Sequence, residues 1–189
     1  MKNYYRIMLG RKSTHAEEAY RGGFIGADFS IDQDLAHHLS DDWRAFNKEY
    51  IPKCIEKNPG KTRVSAGLAC GMLWTIAKGV RVGDVVLCPD GKGAYHTGEV
   101  VGEYEYHPGK ALPHRRAVRW FTGKISREEL SEPLRNSAGS IGTVSTITRY
   151  AEELEALLSG SRSPSSAAID EIIEDASVFA LEKHLEDFL

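Results

Sequence analysis

The sequence lacks most of the features that would classify it at once. No uninterrupted apolar run approaches the roughly 18 residues that a membrane-spanning helix needs. Residues Met1 to Gly10 set Lys2 and Arg6 among alternating apolar residues, without the compact apolar block of a secretory signal. Cysteine is scarce. Cys54, Cys70 and Cys88 are an odd, scattered set, neither a disulfide framework nor a zinc signature, and they point to a reducing, cytoplasmic setting. Eighteen glycines and seven prolines in 189 residues exclude a collagenous or low-complexity chain.

The usual catalytic constellations are also missing. There is no G-x-x-x-x-G-K-[ST] loop, no G-x-S-x-G elbow and no H-E-x-x-H, and Gly91-Lys92-Gly93 is too short to cradle a triphosphate. His37-His38 reads as a solvated turn ahead of a helix cap. After Pro89-Asp90, no acid is followed two places later by lysine, as a metal-dependent nuclease core requires; Glu99-Val100-Val101 and Glu103-Tyr104-Glu105 do not supply it. The expectation is a chain without metal or cofactor, whose own residues are not catalytic.

What is present is a chain long enough for one ordinary domain with a proper core: 41% of its residues are hydrophobic and 27% charged, with a formal net charge of −3. That charge is uneven. Residues 167–189 hold seven acids against Lys183 alone, leaving the rest of the chain basic. Residues 57–83 carry five Lys or Arg and no acid, and residues 106–127 carry six and no acid. Such stretches suit an anionic ligand, though a solvated face would also account for them.

Punctuation by Gly, Pro and capping residues divides the chain. Tyr4 to Leu9 and Phe24 to Ile31 are expected strands, with Gly26 marking a bulge or a close backbone approach. Ser40 is an expected N-cap, followed by a helix that Pro52 interrupts, and a second helix is expected from about Val64 to Lys78. Asp84 to Cys88, Ala94 to Tyr106 and Ala117 to Phe121 read as strands, with Pro89-Asp90-Gly91 as a turn. Ser126 and Glu129 form a capping box for a short helix, and Ile147, Ala151, Leu154 and Leu158 describe the domain's last helix. Residues 1–158 are then one domain, 159–166 a flexible linker, and 167–189 an acidic amphipathic helix. The apolar face of that helix, Ile169, Ile172, Ile173, Ala176, Phe179 and Leu185, needs a partner: a second copy of the chain or a following domain.

Around the strands lies an aromatic and basic set: Phe24, Trp74, Tyr95, Tyr104, Tyr106 and Trp120 with Lys12, Arg115, Arg116 and Arg119. Flat side chains can sandwich an unstacked nucleobase, and cations can hold its phosphates. Tyr-Tyr-Arg-Ile-Met-Leu-Gly at the start, His15-Ala16-Glu17, Gly23-Phe24-Ile25-Gly26, Leu73-Trp74, Val82-Gly83-Asp84-Val85-Val86, Gly98-Glu99-Val100-Val101-Gly102 and His114-Arg115-Arg116-Ala117-Val118-Arg119-Trp120 follow in order. This succession resembles the PUA-like superfamily, and more narrowly the EVE and YTH-related modules at the N-termini of modification-dependent restriction systems. Leu181 to Leu189 resembles the helix that opens the nuclease domain of Mrr-like restriction endonucleases.

The resemblance implies an α+β fold, a small bent β-barrel flanked by helices, with a cage for a flipped and often methylated base. It would make the chain a DNA-binding specificity module for a restriction endonuclease in anti-phage defence, partnered by DNA and by a nuclease domain or subunit. Carried over residue by residue, the base would meet Lys12, Ser13, Phe24, Ile25, Asp28, Trp74, Tyr104 and Tyr106. The phosphates would meet Arg11, Arg63, Lys110, Arg115, Arg116 and Arg119. Phe24 and Ile25 stand where such modules place a tryptophan on the second strand. An RNA-binding PUA-like domain and a protein-interaction or dimerisation module are the alternative readings.

Overall fold

Alternating apolar residues build a mixed sheet in the computed structural model, which describes residues 2–160. Strands β1 (Tyr4–Ile7), β2 (Phe24–Ala27), β3 (Val85–Pro89), β4 (Ala94–Tyr106), β5 (His114–Trp120), β6 (Ile125–Ser126) and β7 (Val144–Thr146) form it. The order is β2-β5-β4-β3-β1-β7, with β6 pairing on β4. Only β1 and β3 pair in parallel; the other described pairs are antiparallel. The long β4 carries an irregularity between Val100 and Tyr104, which bends it against β5.

Helices α1 (Ala16–Gly22), α2 (Trp43–Lys57), α3 (Arg63–Trp74), α4 (Glu132–Ala138) and α5 (Ala151–Leu158) complete an α+β domain. The sheet is open: β2 and β7 lie at the two ends of the strand order and do not pair. With four and three residues, these end strands offer little ladder to close a barrel.

Both faces of the sheet are covered. Along β3, Val86 and Cys88 join a core with Ile7, Ile25 and Ile76, while Val85 and Leu87 join a second with Tyr4, Leu134 and Leu154 beneath α4 and α5. A third cluster, including Leu35, Phe46, Tyr50 and Leu73, packs α2 on α3.

Local signals explain several boundaries and revise others. The cap of α2 is Asp42, not Ser40: its carboxylate accepts from Arg44 N–H at 3.0 Å. The helix runs through Pro52, whose ring is exposed. Ser126 and Glu129 do form a capping box, but on a single 3-10 turn, Arg127–Glu129. Pro133 lies in the first turn of α4, where its missing N–H costs no helical hydrogen bond. The second strand ends at Ala27, and α3 passes into a π-helical turn, Thr75–Gly79. Beyond Gly160, the expected linker and the acidic C-terminal helix lie outside the described residues. Among the described residues, no helix is long and apolar enough to cross a membrane.

Candidate functional site

Parallel pairing sends the C-terminal ends of β1 and β3 to the same edge of the sheet, so the loops that follow them meet. After β1, Gly10, Lys12 and Ser13 all take positive φ, and the chain turns sharply into α1. After β3, Asp90 organises its own turn: Oδ1 accepts from the N–H groups of Lys92 at 2.7 Å and Ala94 at 3.1 Å, and Oδ2 accepts from Lys124 Nζ at 2.8 Å. These bonds hold the Asp90 carboxyl below its ordinary range against the opposing effect of burial. Gly91 brings the loops together, since a Cβ there would stand 3.2 Å from the carbonyl oxygen of Lys12.

Between the loops is a cleft of about 400 Å³. One wall is Ser13, Thr14, Ala16, Glu17 and Arg21; the other is Asp90, Lys92 and Lys124. Arg11 and Lys12 are exposed on the adjoining loop.

The cleft has a buried neighbour. His96 on β4 stacks on Tyr20 with centroids 4.0 Å apart and meets Trp120 edge-on at 6.1 Å. Neither ring nitrogen has a hydrogen-bond partner. Burial depresses its pKa and Lys124 acts in the same direction, while Asp90 and Glu17 oppose. Those three charged groups all line the cleft. Arg21 pairs with Glu17 at 3.1 Å and Lys124 with Asp90 at 2.8 Å. The recess is therefore polar with a small excess of cations, Lys92 and the neighbouring Arg11 and Lys12. It has a neutral, unsatisfied imidazole beside it, a setting that suits an anionic ligand able to hydrogen-bond.

The residues expected to read a base are divided between this edge and other parts of the fold. Lys12 and Ser13 belong to the loop at the cleft. Phe24 and Ile25 are buried in the first core, with the Arg115 guanidinium 3.7 Å from the Phe24 ring centre. Trp74 packs on the third cluster and donates from Nε1 to the Ser40 carbonyl at 2.9 Å. Asp28 is exposed, and its Oδ1 accepts from Ser30 N–H.

Tyr104 and Tyr106 flank His114. The Nε2 of His114 lies 2.7 Å from the Ile31 carbonyl and must carry the proton, so Nδ1 accepts from Tyr104 Oη at 2.9 Å. Tyr104 in turn accepts from Leu35 N–H, and burial pushes its pKa up to about 12. Tyr104 and Trp74 thus tie down the loop between β2 and α2, while Phe24 and Ile25 fill a different core. Trp74 and Tyr104 share the third cluster, while Phe24 lies apart from them in the first.

The expected phosphate contacts divide similarly. Arg63, Lys110 and Arg119 are exposed, Arg119 being paired with Glu99 at 2.6 Å. Arg115 is pinned by the carbonyls of Leu112 and Ala111. Arg116 is not a surface cation: it is 3% exposed, and it donates to the carbonyls of Ile76, Ala77 and Gly102. It closes the π-helical turn against the sheet, where the helix end would otherwise leave bare carbonyls.

His96, Asp90, Lys92, Lys124 and Arg21 were not singled out by the sequence reading. The available signal was a pair of glycine-punctuated turns, at Gly10 and at Gly91-Gly93, each directly after an apolar strand. Among the described residues, no group of three or more His, Cys, Asp or Glu side chains is placed to hold a metal ion.

The stretch from β1 to the turn before α5 is also the unit that recurs in other sequences. Residues 5–149 match the family described as Domain of unknown function (DUF8426). The chain belongs to this family. The match takes in both loops of the cleft and all of the sheet except Tyr4, the first residue of β1. No curated protein matches the chain.

Proposed function

We propose that the domain is a nucleic-acid recognition module and that the cleft between the β1 and β3 loops is where it engages its ligand. The observation that carries the reading is the grouping of Arg11, Lys12, Arg21, Lys92 and Lys124 around a polar recess beside the unpartnered His96. Cations in this arrangement suit phosphates, and a recess of this volume falls in the range of small-ligand sites.

The resemblance to PUA-like, EVE and YTH-related modules adds the finer proposal. The ligand is DNA with a modified, flipped base, methylated as the resemblance implies, read on behalf of a restriction nuclease domain or subunit that performs the catalysis. That kinship has to accommodate an open sheet in place of a barrel, and base recognition nearer to Ser13, Asp90 and His96 than to Trp74. The unpartnered ring nitrogens of His96 offer an acceptor for an exocyclic amino group, the role expected of Asp28.

The test is a binding panel of duplexes differing in one modified base, measured across a salt series. Replacing Lys92 and Lys124 together with alanine is expected to weaken binding to all sequences alike and to flatten the salt dependence by about two phosphate contacts. An unchanged salt slope would remove the cleft from the interface. Stronger competition by single-stranded RNA than by any duplex would turn the reading to RNA.

A further inference from the structure

Arg6 lies on β1, beside the end strand β7, and is 2% exposed. It pairs with Leu87 of β3 and shares the face that carries Tyr4, Leu87 and Tyr95. A guanidinium withdrawn from water is ordinarily matched by a carboxylate. The other two arginines anchored in this sheet follow that rule, with Glu103 3.4 Å from Arg116 and Glu18 3.8 Å from Arg115.

Arg6 has no such partner among the described residues. Its Nη1 donates to the Gly142 carbonyl, and its Nε is buried with no acceptor. Burial lowers its pKa, and the groups that act against that effect are the Tyr95 phenol and the Cys88 thiol rather than a carboxylate.

Other unsatisfied groups surround the same turn. Ser145 faces Arg6 across the β1–β7 pair, and its Oγ is buried without a partner. Ser140 lies two residues before Gly142, and its Oγ is equally unmatched. A second guanidinium approaches from the far side: Arg127 donates from Nη1 to Tyr95 Oη at 3.2 Å, and its Nη2 lies 3.4 Å from where a Gly139 Cβ would stand. No carboxylate lies within ion-pair distance of Arg127 among the described residues.

An ordered water would satisfy the hydroxyls but would leave the charge unmatched. One oxyanion would do both, accepting from a guanidinium edge and from the hydroxyls at once. We propose that Arg6, Arg127, Ser140 and Ser145 form an anion site at the α4–β7 turn, buried on the side of Arg6 and the two serine hydroxyls and open to solvent on the side of the exposed Arg127, that takes a single phosphate-class oxyanion. The site is separate from the cleft and does not depend on how the cleft is used. Its chemistry is shared by free inorganic phosphate and by one phosphoryl group of a larger ligand entering at Gly139 to Gly142.

The test is thermal unfolding of the full chain in rising inorganic phosphate, with ionic strength held constant by chloride. The expected result is a melting temperature that climbs with the logarithm of phosphate concentration. Arg6→Lys and Ser145→Ala are each expected to weaken the apparent phosphate affinity about tenfold. Lys92→Ala with Lys124→Ala should leave that response intact. Should Arg6→Lys fail to fold, Ser140→Ala and Ser145→Ala carry the test, because each removes a hydroxyl that makes no bond within the protein.

A parallel arm with a short oligonucleotide assigns the source. A response through the same residues identifies a phosphoryl group, and a response to inorganic phosphate alone identifies the free anion. A melting temperature indifferent to phosphate overturns the site. So does a response that survives the Ser140, Ser145 and Arg6 variants but disappears with Lys92 and Lys124.

Discussion

At the scale of single residues, unsatisfied or unusual groups are the informative ones. His96 has two buried nitrogens without partners and a pKa held below its ordinary 6.5 by burial and by Lys124. The unfolded chain therefore binds more protons at mildly acid pH, so the contribution of His96 is complete above about pH 6.5 and is lost as pH falls below it. His96→Phe keeps an aromatic ring against Tyr20 and Trp120 and removes the unmatched nitrogens. It is expected to raise stability by about 1 kcal/mol at neutral pH and to lessen the loss on acidification, measured by denaturant unfolding at several pH values. If the cleft binds as proposed, the same variant should lose ligand affinity while gaining stability. Gly91 tests the loop contact: with φ +76 and a Cβ position 3.2 Å from the Lys12 carbonyl, Gly91→Ala is expected to cost about 1–2 kcal/mol. Gly26 was legible as a bulge or a close approach, and the structure shows the approach: a Cβ there would stand 2.8 Å from the His114 carbonyl.

At the scale of elements, the helices owe their positions to caps and to side chains reaching across from other elements. Asp42 caps α2, and Thr62 Oγ1 accepts from Ser65 N–H at the start of α3. Thr62→Ala is expected to lower stability by about 1 kcal/mol, read as a shifted denaturation midpoint with an unchanged slope. The loop between β2 and α2 has little regular structure, yet it is fastened at several points. Ile31 O meets His114, Leu35 N–H meets Tyr104, and the carbonyls of Leu39 and Ser40 meet Lys78 and Trp74. Trp74 and Tyr104, two of the aromatics expected to meet a base, are fastenings of this loop. Residue type alone does not separate the two roles, because a ring with one polar atom suits either.

At the scale of the whole molecule, Arg116 joins elements far apart in the chain, linking β5 to the π-helical turn and to the carbonyl of Gly102. Arg116→Ala is expected to destabilise the domain by about 3 kcal/mol in equilibrium unfolding, because buried carbonyls lose their donors. A variant that stays fully stable but loses nucleic-acid affinity would instead return Arg116 to the phosphate-contacting set.

The strand of residues 94–106, the capping box at Ser126 and Glu129, the helical run expected from about Val64 and the turn at Pro89-Asp90-Gly91 were all readable in the sequence, because each rests on interactions within a few residues. Three decisions belong to the tertiary structure alone. One is the parallel pairing of β1 with β3, about 80 residues apart in the chain, which sets the β1 and β3 loops side by side and so creates the cleft. Another is which of the arginines in the basic run at 106–127 point inward: Arg116 is buried while Arg119, three residues on, is exposed. The last is the pairing of β1 with β7, which places Ser145 opposite Arg6. Local propensity records turns and the buried face of a strand, but which strands become neighbours depends on non-local burial and hydrogen bonding, and that choice determines which charges meet.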